Sequence, residues 1–281
     1  MDGNLERNSA LIGIDIGGTG IKGAIVNPAT GALLCEPIRI PTPRPATPDA
    51  VAAAVALIEE ELSTFPGCPK AGSPLGVTFP GIIQHGIVRS AANVDKTWLE
   101  THIDALLTAR LDRPVKVMND ADAAGLAEAR YGAGEGVSGS VLVITLGTGI
   151  GSAFIFDGKL VPNAELGHLE IDGFDAETKA SAVARERDRL SWADYGVKLQ
   201  RYFSHLEFLF SPELFIVGGG ISIRTDEYLP SLKLRTPIVP AVFRNEAGIV
   251  GAALHMSQMH NTAGYHRPRS METPVRKAAL R

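Results

Sequence analysis

The chain has 281 residues, 45% hydrophobic and 21% charged, with a net charge of −4. The composition is typical of a globular protein, and the length leaves room for two lobes. The negative net charge argues against a general nucleic-acid binder. Its two cysteines, Cys35 and Cys68, form neither a disulfide framework nor a metal-ligand spacing. Because no apolar run approaches the ~20 residues of a membrane span and residues 1–9 lack a signal-peptide core, we expect a reduced, cytoplasmic protein with no membrane or nucleic-acid partner.

The first part of the chain predicts one lobe of strands and helices. Residues 11–16 and 21–26 have the apolar pattern of buried strands. After them the sequence predicts, in order, a strand around 32–40, a helix over 50–62 with Thr47 as N-cap, a strand over 75–79, a hairpin turning near 85–86, a helix from a Thr101 cap to about 111, and a buried strand over 115–118.

The second part predicts a further set of elements. These are a helix over 120–131, strands over 141–146 and 152–156, helices over about 180–189 and 191–210, a strand over 214–217 and a last helix over 245–259. In the long helix, capped by Ser191, large apolar residues recur at helical spacing: Trp192, Tyr195, Leu199, Tyr202, Phe203, Leu206 and Leu209. We interpret this stripe as core rather than as an aromatic binding surface.

The turn between the first two strands has the composition of a phosphate-binding loop. Gly17 and Gly18 let backbone N–H groups approach an anion closely, because no Cβ intervenes. Thr19 adds a hydroxyl and Lys22 a cation, while Asp15 is a carboxylate able to hold Mg²⁺ through water. An ordinary hairpin turn is the alternative for one such loop alone.

Two further strands end in glycine clusters, which argues against that alternative. The clusters are Gly147, Thr148 and Gly149 after 141–146, and Gly218, Gly219 and Gly220 after 214–217. Neither a dinucleotide-binding G-x-G-x-x-G that opens a helix nor a P-loop motif occurs. The first two clusters instead join strand to strand, and we expect them to bind phosphates.

Four motifs in order identify a family resemblance: Asp15-x-Gly17-Gly18-Thr19-x-x-Lys22, Asn119-Asp120, Gly147-Thr148-Gly149-x-Gly151 and Glu165-x-x-His168. From about residue 11 to 255 the chain resembles the bacterial ROK-type sugar kinases, and within them the polyphosphate glucokinases and polyphosphate/ATP glucomannokinases. The resemblance implies a two-lobed α/β fold of the actin-like ATPase type with an active-site cleft between the lobes. It places the small lobe at 10–118, joined by the last helix at about 245–259, the large lobe at 119–244 and a flexible basic tail at 260–281.

The resemblance also implies the activity, and it implies that Gly218, Gly219 and Gly220 lie against the nucleoside of ATP. We expect a hexokinase-type phosphotransferase that makes glucose 6-phosphate from glucose, and also accepts mannose, with polyphosphate or ATP as donor and Mg²⁺ as cofactor. A kinase of another sugar is the main alternative. A sugar-responsive regulator of the same family is disfavoured, because only ten residues precede the first strand. The sequence leaves open whether the protein is a monomer or a homodimer.

Asp120 follows a buried strand and begins a helix, so its side chain is expected to face the cleft. By position it could equally cap that helix, whereas the resemblance matches it to the general base of the family. Its neighbour Asn119 carries both a donor and an acceptor, as a sugar hydroxyl requires.

Glu165 and His168 are the other sugar contacts that the resemblance implies, with Asn93 and the segment at Gly81 matched more loosely. A metal ligand is the alternative role for His168, because many ROK proteins continue from this histidine into a cysteine-rich zinc motif. No cysteine follows Cys68, so we expect no zinc. We also expect this departure to remove a glutamate that relatives supply beside the sugar.

A polyanionic donor would need cations beyond the first phosphates. Besides Lys22, the segment 179–189 offers Lys179, Arg185, Arg187 and Arg189. Alternating charges on a solvated helix are the simpler interpretation of this segment, and the two remain open.

Overall fold

Two five-stranded mixed sheets organise the computed structural model, which describes residues 10–91 and 94–263. The elements that carry the first sheet are β1 (Leu11–Ile16), β2 (Gly20–Val26), β3 (Ile38–Pro41), α1 (Pro48–Leu62), β4 (Leu75–Phe79), β5 (Ile83–Gln84), β6 (Ile87–Val88), α2 (Ile103–Leu111) and β7 (Val115–Asn119).

The chain then passes directly into the elements of the second sheet. They are α3 (Asp120–Tyr131), β8 (Ser140–Leu146), β9 (Ile150–Phe156), β10 (Lys159–Val161), β11 (Glu170–Ile171), β12 (Phe174–Asp175), α4 (Glu177–Ala180), α5 (Ala182–Arg187), α6 (Trp192–Phe210), β13 (Leu214–Gly218), β14 (Ile238–Pro240) and α7 (Ala247–Ala263). The sequence-based boundary between lobes, at 118–119, stays a prediction.

The two sheets repeat one topology. The first has the strand order β3-β2-β1-β4-β7 and the second β10-β9-β8-β13-β14. In each sheet, read in this order, the first two pairs of neighbouring strands are antiparallel and the last two pairs are parallel. The β1–β2 and β8–β9 hairpins are therefore equivalent, and each carries one of the first two glycine turns.

Apolar strands and amphipathic helices build a separate core in each lobe. In the first lobe β1 and β4 pack against α1, whose inward positions include Val51, Val55 and Ile58. In the second, α6 covers β8 and β13. Its predicted stripe is buried at Tyr195, Leu199, Tyr202, Phe203 and Leu206, whereas Leu209 is about half exposed.

Helix α7 connects the lobes through contacts between backbones. A Cβ at Gly13 in β1 would meet the carbonyl of Ile249, and one at Gly76 in β4 would meet that of Ala252. On another face of α7, a Cβ at Gly251 would meet the carbonyl of Ala123 in α3. The last helix thus touches both the first sheet and the first helix of the second lobe.

Several predicted boundaries are corrected. Helix α2 begins at Ile103 rather than after a Thr101 cap, because the Thr101 hydroxyl donates to Thr97 and completes the preceding turn. The single helix predicted over 180–189 is two, since Ser181 is extended and caps α5 by accepting the N–H of Ala184. Strand β3 is limited to Ile38–Pro41. Within the described part of the chain, no helix is long and apolar enough to span a membrane.

Candidate active site

The two glycine hairpins present tight, solvent-accessible turns of matching construction. In the first, the Gly17 N–H donates to the carbonyl of Gly20 at 3.0 Å. In the second, the Gly147 N–H donates to the carbonyl of Gly149 at 3.0 Å. Gly18, Thr19 and Thr148, at the tips of the turns, are exposed. Such tips can offer N–H and hydroxyl donors to a phosphate chain.

The third glycine cluster lies beside the second turn. Strand β13 runs parallel to β8, with Gly218 opposite Thr145. Gly219 has a φ of 81°, and a Cβ there would meet the backbone of Leu146. Gly220 has open space around its Cα. The two clusters therefore meet at one corner of the second lobe, as a phosphate chain and its attached nucleoside would require.

Asp15 and Lys22 are cross-strand partners and form an ion pair. The Lys22 Nζ lies 2.9 Å from Asp15 Oδ2 and also donates to the carbonyl of Asn245 at 2.9 Å. The Thr78 hydroxyl donates to Asp15 Oδ1 at 2.6 Å. The Asp15 carboxylate, predicted to hold a hydrated metal, and the Lys22 ammonium, predicted to bind phosphate, thus hold one another in place. A phosphate or a hydrated metal that binds here has to add to this ion pair or replace one of its members.

Asn119, rather than Asp120, caps α3. Its Oδ1 accepts the N–H of Asp122 at 3.0 Å, and its Nδ2 donates to the carbonyl of Gly81 at 3.2 Å. The side chain therefore fixes the start of the helix and ties it to the first lobe. Asp120 is the first residue of the helix, after the cap, and its Oδ1 accepts the N–H of Ala121 at 2.8 Å. The helix-capping alternative for Asp120 is thereby removed.

The carboxyl group of Asp120 is tuned to neutral pH. Burial raises its pKa, and the nearby Asp15 and Glu165 carboxylates raise it further, to about 7. Hydrogen bonds from the start of α3 act in the opposite direction. A carboxylate with a pKa near the working pH is well matched to general-base chemistry.

Glu165 immediately precedes a short 3₁₀ turn, Leu166–His168, and His168 is the last residue of that turn; the Glu165 carboxylate is near enough to Asp120 to raise its pKa. Burial raises the pKa of Glu165, and this increase is opposed by His168. His168 Nδ1 lies 2.9 Å from Asp175 Oδ2, and this hydrogen bond is the main reason that the pKa of His168 is raised. The imidazole is about half exposed, so its Nε2 is available to a ligand.

Glu177, which the sequence interpretation did not single out, joins this group. Its Oε2 accepts the N–H of Ile150 at 3.1 Å and lies against Gly149, and its charge affects the pKa of both Glu165 and His168. The expectation that a glutamate supplied by relatives beside the sugar is missing here stays a prediction. The sequence signal that could have pointed to Glu177 was its spacing of two residues from Asp175, just where a helix begins.

A metal could be held at two places. Asp15 lies at the first glycine turn, and Mg²⁺ is commonly bound by one or two carboxylates together with substrate phosphates. Separately, ligand atoms of His168, Asp175 and Glu177 all lie within 4.8 Å of one another. A structural zinc site has four nitrogen or sulfur ligands as a rule, and this group offers one nitrogen with carboxylates. The expectation of no zinc stays a prediction.

Two predicted regions lie outside the described residues. They are Asn93, one of the loosely matched sugar contacts, and residues 264–281, most of the predicted basic tail. Of the other predicted sugar contacts, the carbonyl of Gly81 accepts a hydrogen bond from the side chain of Asn119. A Cβ at Gly81 would meet the carbonyl of Ser90, so this segment packs closely.

Two similar lobes, each with a glycine turn at the edge of the cleft, are the features of the actin-like ATPase fold of sugar kinases. A model of the ROK family matches residues 11–182, more than half of the chain, and this chain belongs to the ROK family. It is similar to a polyphosphate glucokinase of Mycobacterium tuberculosis, with 48% identity over 86% of this chain and 89% of that protein.

Solved structures agree with the sequence relatives. The crystal structure of an inorganic polyphosphate/ATP-glucomannokinase from Arthrobacter sp. strain KM has 79% identity and a TM-score of 0.88, covering 90% of this chain and all of that one. A ROK family glucokinase from Streptomyces griseus, in complex with glucose and AMPPNP, has 26% identity and a TM-score of 0.76, covering 89% of this chain and 99% of that one.

Proposed function

We propose that this protein is a sugar phosphotransferase that makes glucose 6-phosphate from glucose, and also phosphorylates mannose, with inorganic polyphosphate or ATP as donor. The observation that carries the proposal is Asp120, a carboxyl group with a pKa of about 7 that is not used as a helix cap. Phosphoryl transfer to an alcohol needs a carboxylate that orients the hydroxyl and accepts its proton.

The acceptor side is assigned as follows. Asp120 accepts the proton of the sugar 6-hydroxyl, and Asn119, held by α3 and by Gly81, presents its remaining N–H to a neighbouring hydroxyl. Glu165 and His168 bind hydroxyls at the other end of the ring. A carboxylate beside an imidazole supplies both an acceptor and a donor, the combination that a pyranose edge requires.

The donor side consists of the two glycine turns, with Gly17, Gly18 and Thr19 on one lobe and Gly147, Thr148 and Gly149 on the other. The third cluster, Gly218, Gly219 and Gly220, lies next to the nucleoside when ATP is the donor. Mg²⁺, when bound, neutralises charge on the donor phosphates. Asp15 is the residue that would hold it through water, and Lys22 keeps that carboxylate in place.

Relatives support both donors and both sugars. The Mycobacterium tuberculosis relative is named for polyphosphate and glucose, and the Arthrobacter relative for polyphosphate, ATP, glucose and mannose. High sequence identity over most of both chains supports extending these assignments to this chain. Oligomeric state is a separate matter, and we propose no more than a monomer or a homodimer.

The test is a comparison of donors and sugars with the purified protein. Glucose, mannose, fructose and N-acetylmannosamine are each incubated with Mg²⁺ and either ATP or long-chain polyphosphate, and hexose phosphate is measured. We expect product from glucose and mannose with both donors. Product from ATP alone would reject polyphosphate as donor, and product only from fructose or N-acetylmannosamine would reject the sugar.

A further inference from the structure

Strand β9 carries a hydroxyl on the face that it turns toward the core. Its Ile150 and Phe154 pack in the apolar core beneath α6. Ser152 lies midway between them and points to the same face, because side chains alternate along a strand. It is only 3% exposed. A buried hydroxyl costs free energy unless it is hydrogen-bonded, so packing alone would favour an apolar residue at this position.

The Ser152 hydroxyl is bonded on both sides of Glu165. It donates to the carbonyl of Ala164 and accepts the N–H of Leu166 at 2.8 Å. In a γ-turn centred on Glu165, these two backbone groups would bond to one another directly. Glu165 has φ −97° and ψ 57°, close to the inverse γ-turn, and the hydroxyl bridges the carbonyl and the N–H. One side chain therefore fixes the backbone before and after Glu165.

The segment around Glu165 lies directly on β9. A Cβ at Gly167 would meet the carbonyl of Ile150, so no side chain fits between the two backbones. From α6, the Tyr202 hydroxyl donates to the carbonyl of Leu166 at 3.3 Å. The backbone of Glu165 is thus supported by two elements, whereas the residue itself is partly exposed. Its side chain remains accessible to a ligand.

His168, the other proposed sugar contact on this segment, is held by a different set of bonds. Its Nδ1 lies 2.9 Å from Asp175 Oδ2, and Asp175 Oδ1 accepts the N–H of Glu177 at 3.1 Å. Neither bond involves Ser152. Loss of the Ser152 hydroxyl therefore acts first on Glu165 and leaves the anchor of the imidazole in place.

We propose that Ser152 is a positioning residue for the acceptor sugar, because its hydroxyl holds Glu165 in the orientation that binds a sugar hydroxyl. The inference rests on the proposed function, which assigns Glu165 to the acceptor side. Ser152 is buried and acts only through the backbone of residues 164–166. Without the hydroxyl, the Ala164 carbonyl and the Leu166 N–H have to find other partners, and this rearrangement turns the Glu165 side chain away from the sugar.

Steady-state kinetics of S152A test this role. We expect the KM for glucose to rise about tenfold, since a displaced carboxylate loses its hydrogen bond to the sugar, whereas the KM for ATP should change less than about twofold. S152C fills the same space with a weaker hydrogen-bonding group, so it should raise the KM for glucose by a smaller factor.

T236V is the matched control for the loss of a buried hydroxyl. Thr236 is also buried, and its Oγ1 donates to the carbonyl of Pro212 at 3.0 Å. It lies in the same lobe, before β14, away from the segment that carries Glu165. T236V should lose stability without a change in the KM for glucose.

A double-variant cycle shows whether Ser152 acts through Glu165. Glucose binding is measured by calorimetry in wild type, S152A, E165A and the double variant. We expect S152A to weaken binding about tenfold in the wild-type background and less than about twofold in the E165A background. Equal weakening in both backgrounds, or a KM for glucose in S152A that matches T236V, would overturn the inference.

Amide exchange without sugar separates this inference from the proposed function. In S152A the Leu166 N–H loses its acceptor, so its exchange, followed by NMR, should accelerate about tenfold or more. The Ile150 N–H, bonded to Glu177 Oε2, should keep its rate. This result supports the placement of Glu165 by Ser152 even if wild type forms no glucose 6-phosphate, which would reject the proposed function alone. Unchanged exchange at Leu166 would overturn the inference even if glucose is phosphorylated.

Discussion

Replacing Asp120 by Asn should abolish phosphoryl transfer and, at the same time, stabilise the folded protein above neutral pH. Asn is close in shape to Asp and can still accept the N–H of Ala121, so the fold around α3 is retained. It cannot accept a proton from a sugar hydroxyl. Loss of a general base lowers turnover by about 10²–10⁴-fold, while glucose binding is largely kept.

The stability change follows from the raised pKa of Asp120. Burial, together with Asp15, takes this pKa from 3.8 to about 7. The stabilising contribution of the protonated form is complete below pH 3.8 and is lost as the pH rises through about 7. At about 1.4 kcal/mol per pKa unit, the ionised carboxylate destabilises the fold by about 4 kcal/mol at pH 8 and about 2 kcal/mol at pH 5. Asp120→Asn removes this cost.

Urea denaturation of both proteins at pH 5 and pH 8 measures the difference, and glucose 6-phosphate formation measures turnover. Asp122→Asn is the matched control. Its pKa is also raised to about 7, chiefly by burial, but it is only 2% exposed and cannot reach a sugar. It should gain stability in the same pH range and keep its activity. Wild-type turnover in Asp120→Asn, or a variant less stable than wild type at pH 8, would refute the reasoning.

Three further predictions concern the support of the site. Gly76→Ala should destabilise the fold by about 1–3 kcal/mol in chemical denaturation, because its Cβ would meet the α7 carbonyl of Ala252; an unchanged free energy of unfolding would contradict the close packing. Asn163→Gly removes two hydrogen bonds, of 3.0 and 3.1 Å, that tie this residue to the backbone of Ile83 in the first lobe. This substitution should raise the KM for glucose about tenfold. Glycine introduces no backbone strain, because the φ of Asn163 is already 58°. An unchanged KM would show that this tie does not matter for binding. Asp175→Asn replaces the charged carboxylate that raises the pKa of His168 by a neutral amide, so NMR titration should show the imidazolium losing its proton at lower pH than in wild type; an unmoved titration would contradict the pairing.

Local sequence was enough to predict the two hairpins and the buried stripe of α6. Residues 11–26 and 141–156 are apolar runs interrupted only by glycine turns, and such a pattern depends on near neighbours along the chain. The position of Asp120 at the start of α3 was predicted for the same reason, because a buried strand gives way to a helix there, whereas its role as general base came from the family resemblance and stays a prediction. These features need no knowledge of distant parts of the fold.

Features set by distant contacts were missed. Glu177 reaches Ile150 across 27 residues of chain, and no local periodicity reports such a contact. Asn119 also donates from Nδ2 to the carbonyl of Gly81, 38 residues away, and this tie between distant segments has no local signal. Arg185 and Arg187 have different partners, since Arg185 lies over the Trp192 ring and Arg187 is ion-paired with Asp188. Composition and spacing could show only that the segment is basic.

The central claim is that Asp120 accepts the sugar proton for both donors at one site. The pH dependence of kcat/KM for glucose, measured with saturating ATP and again with saturating polyphosphate, tests it most directly. We predict glucose 6-phosphate from both donors, with a rate that rises through a single ionisation near pH 7 at the same position in each. A rate independent of pH between about 5.5 and 8.5 would contradict the account. So would ionisations that differ by more than about one pH unit between the two donors.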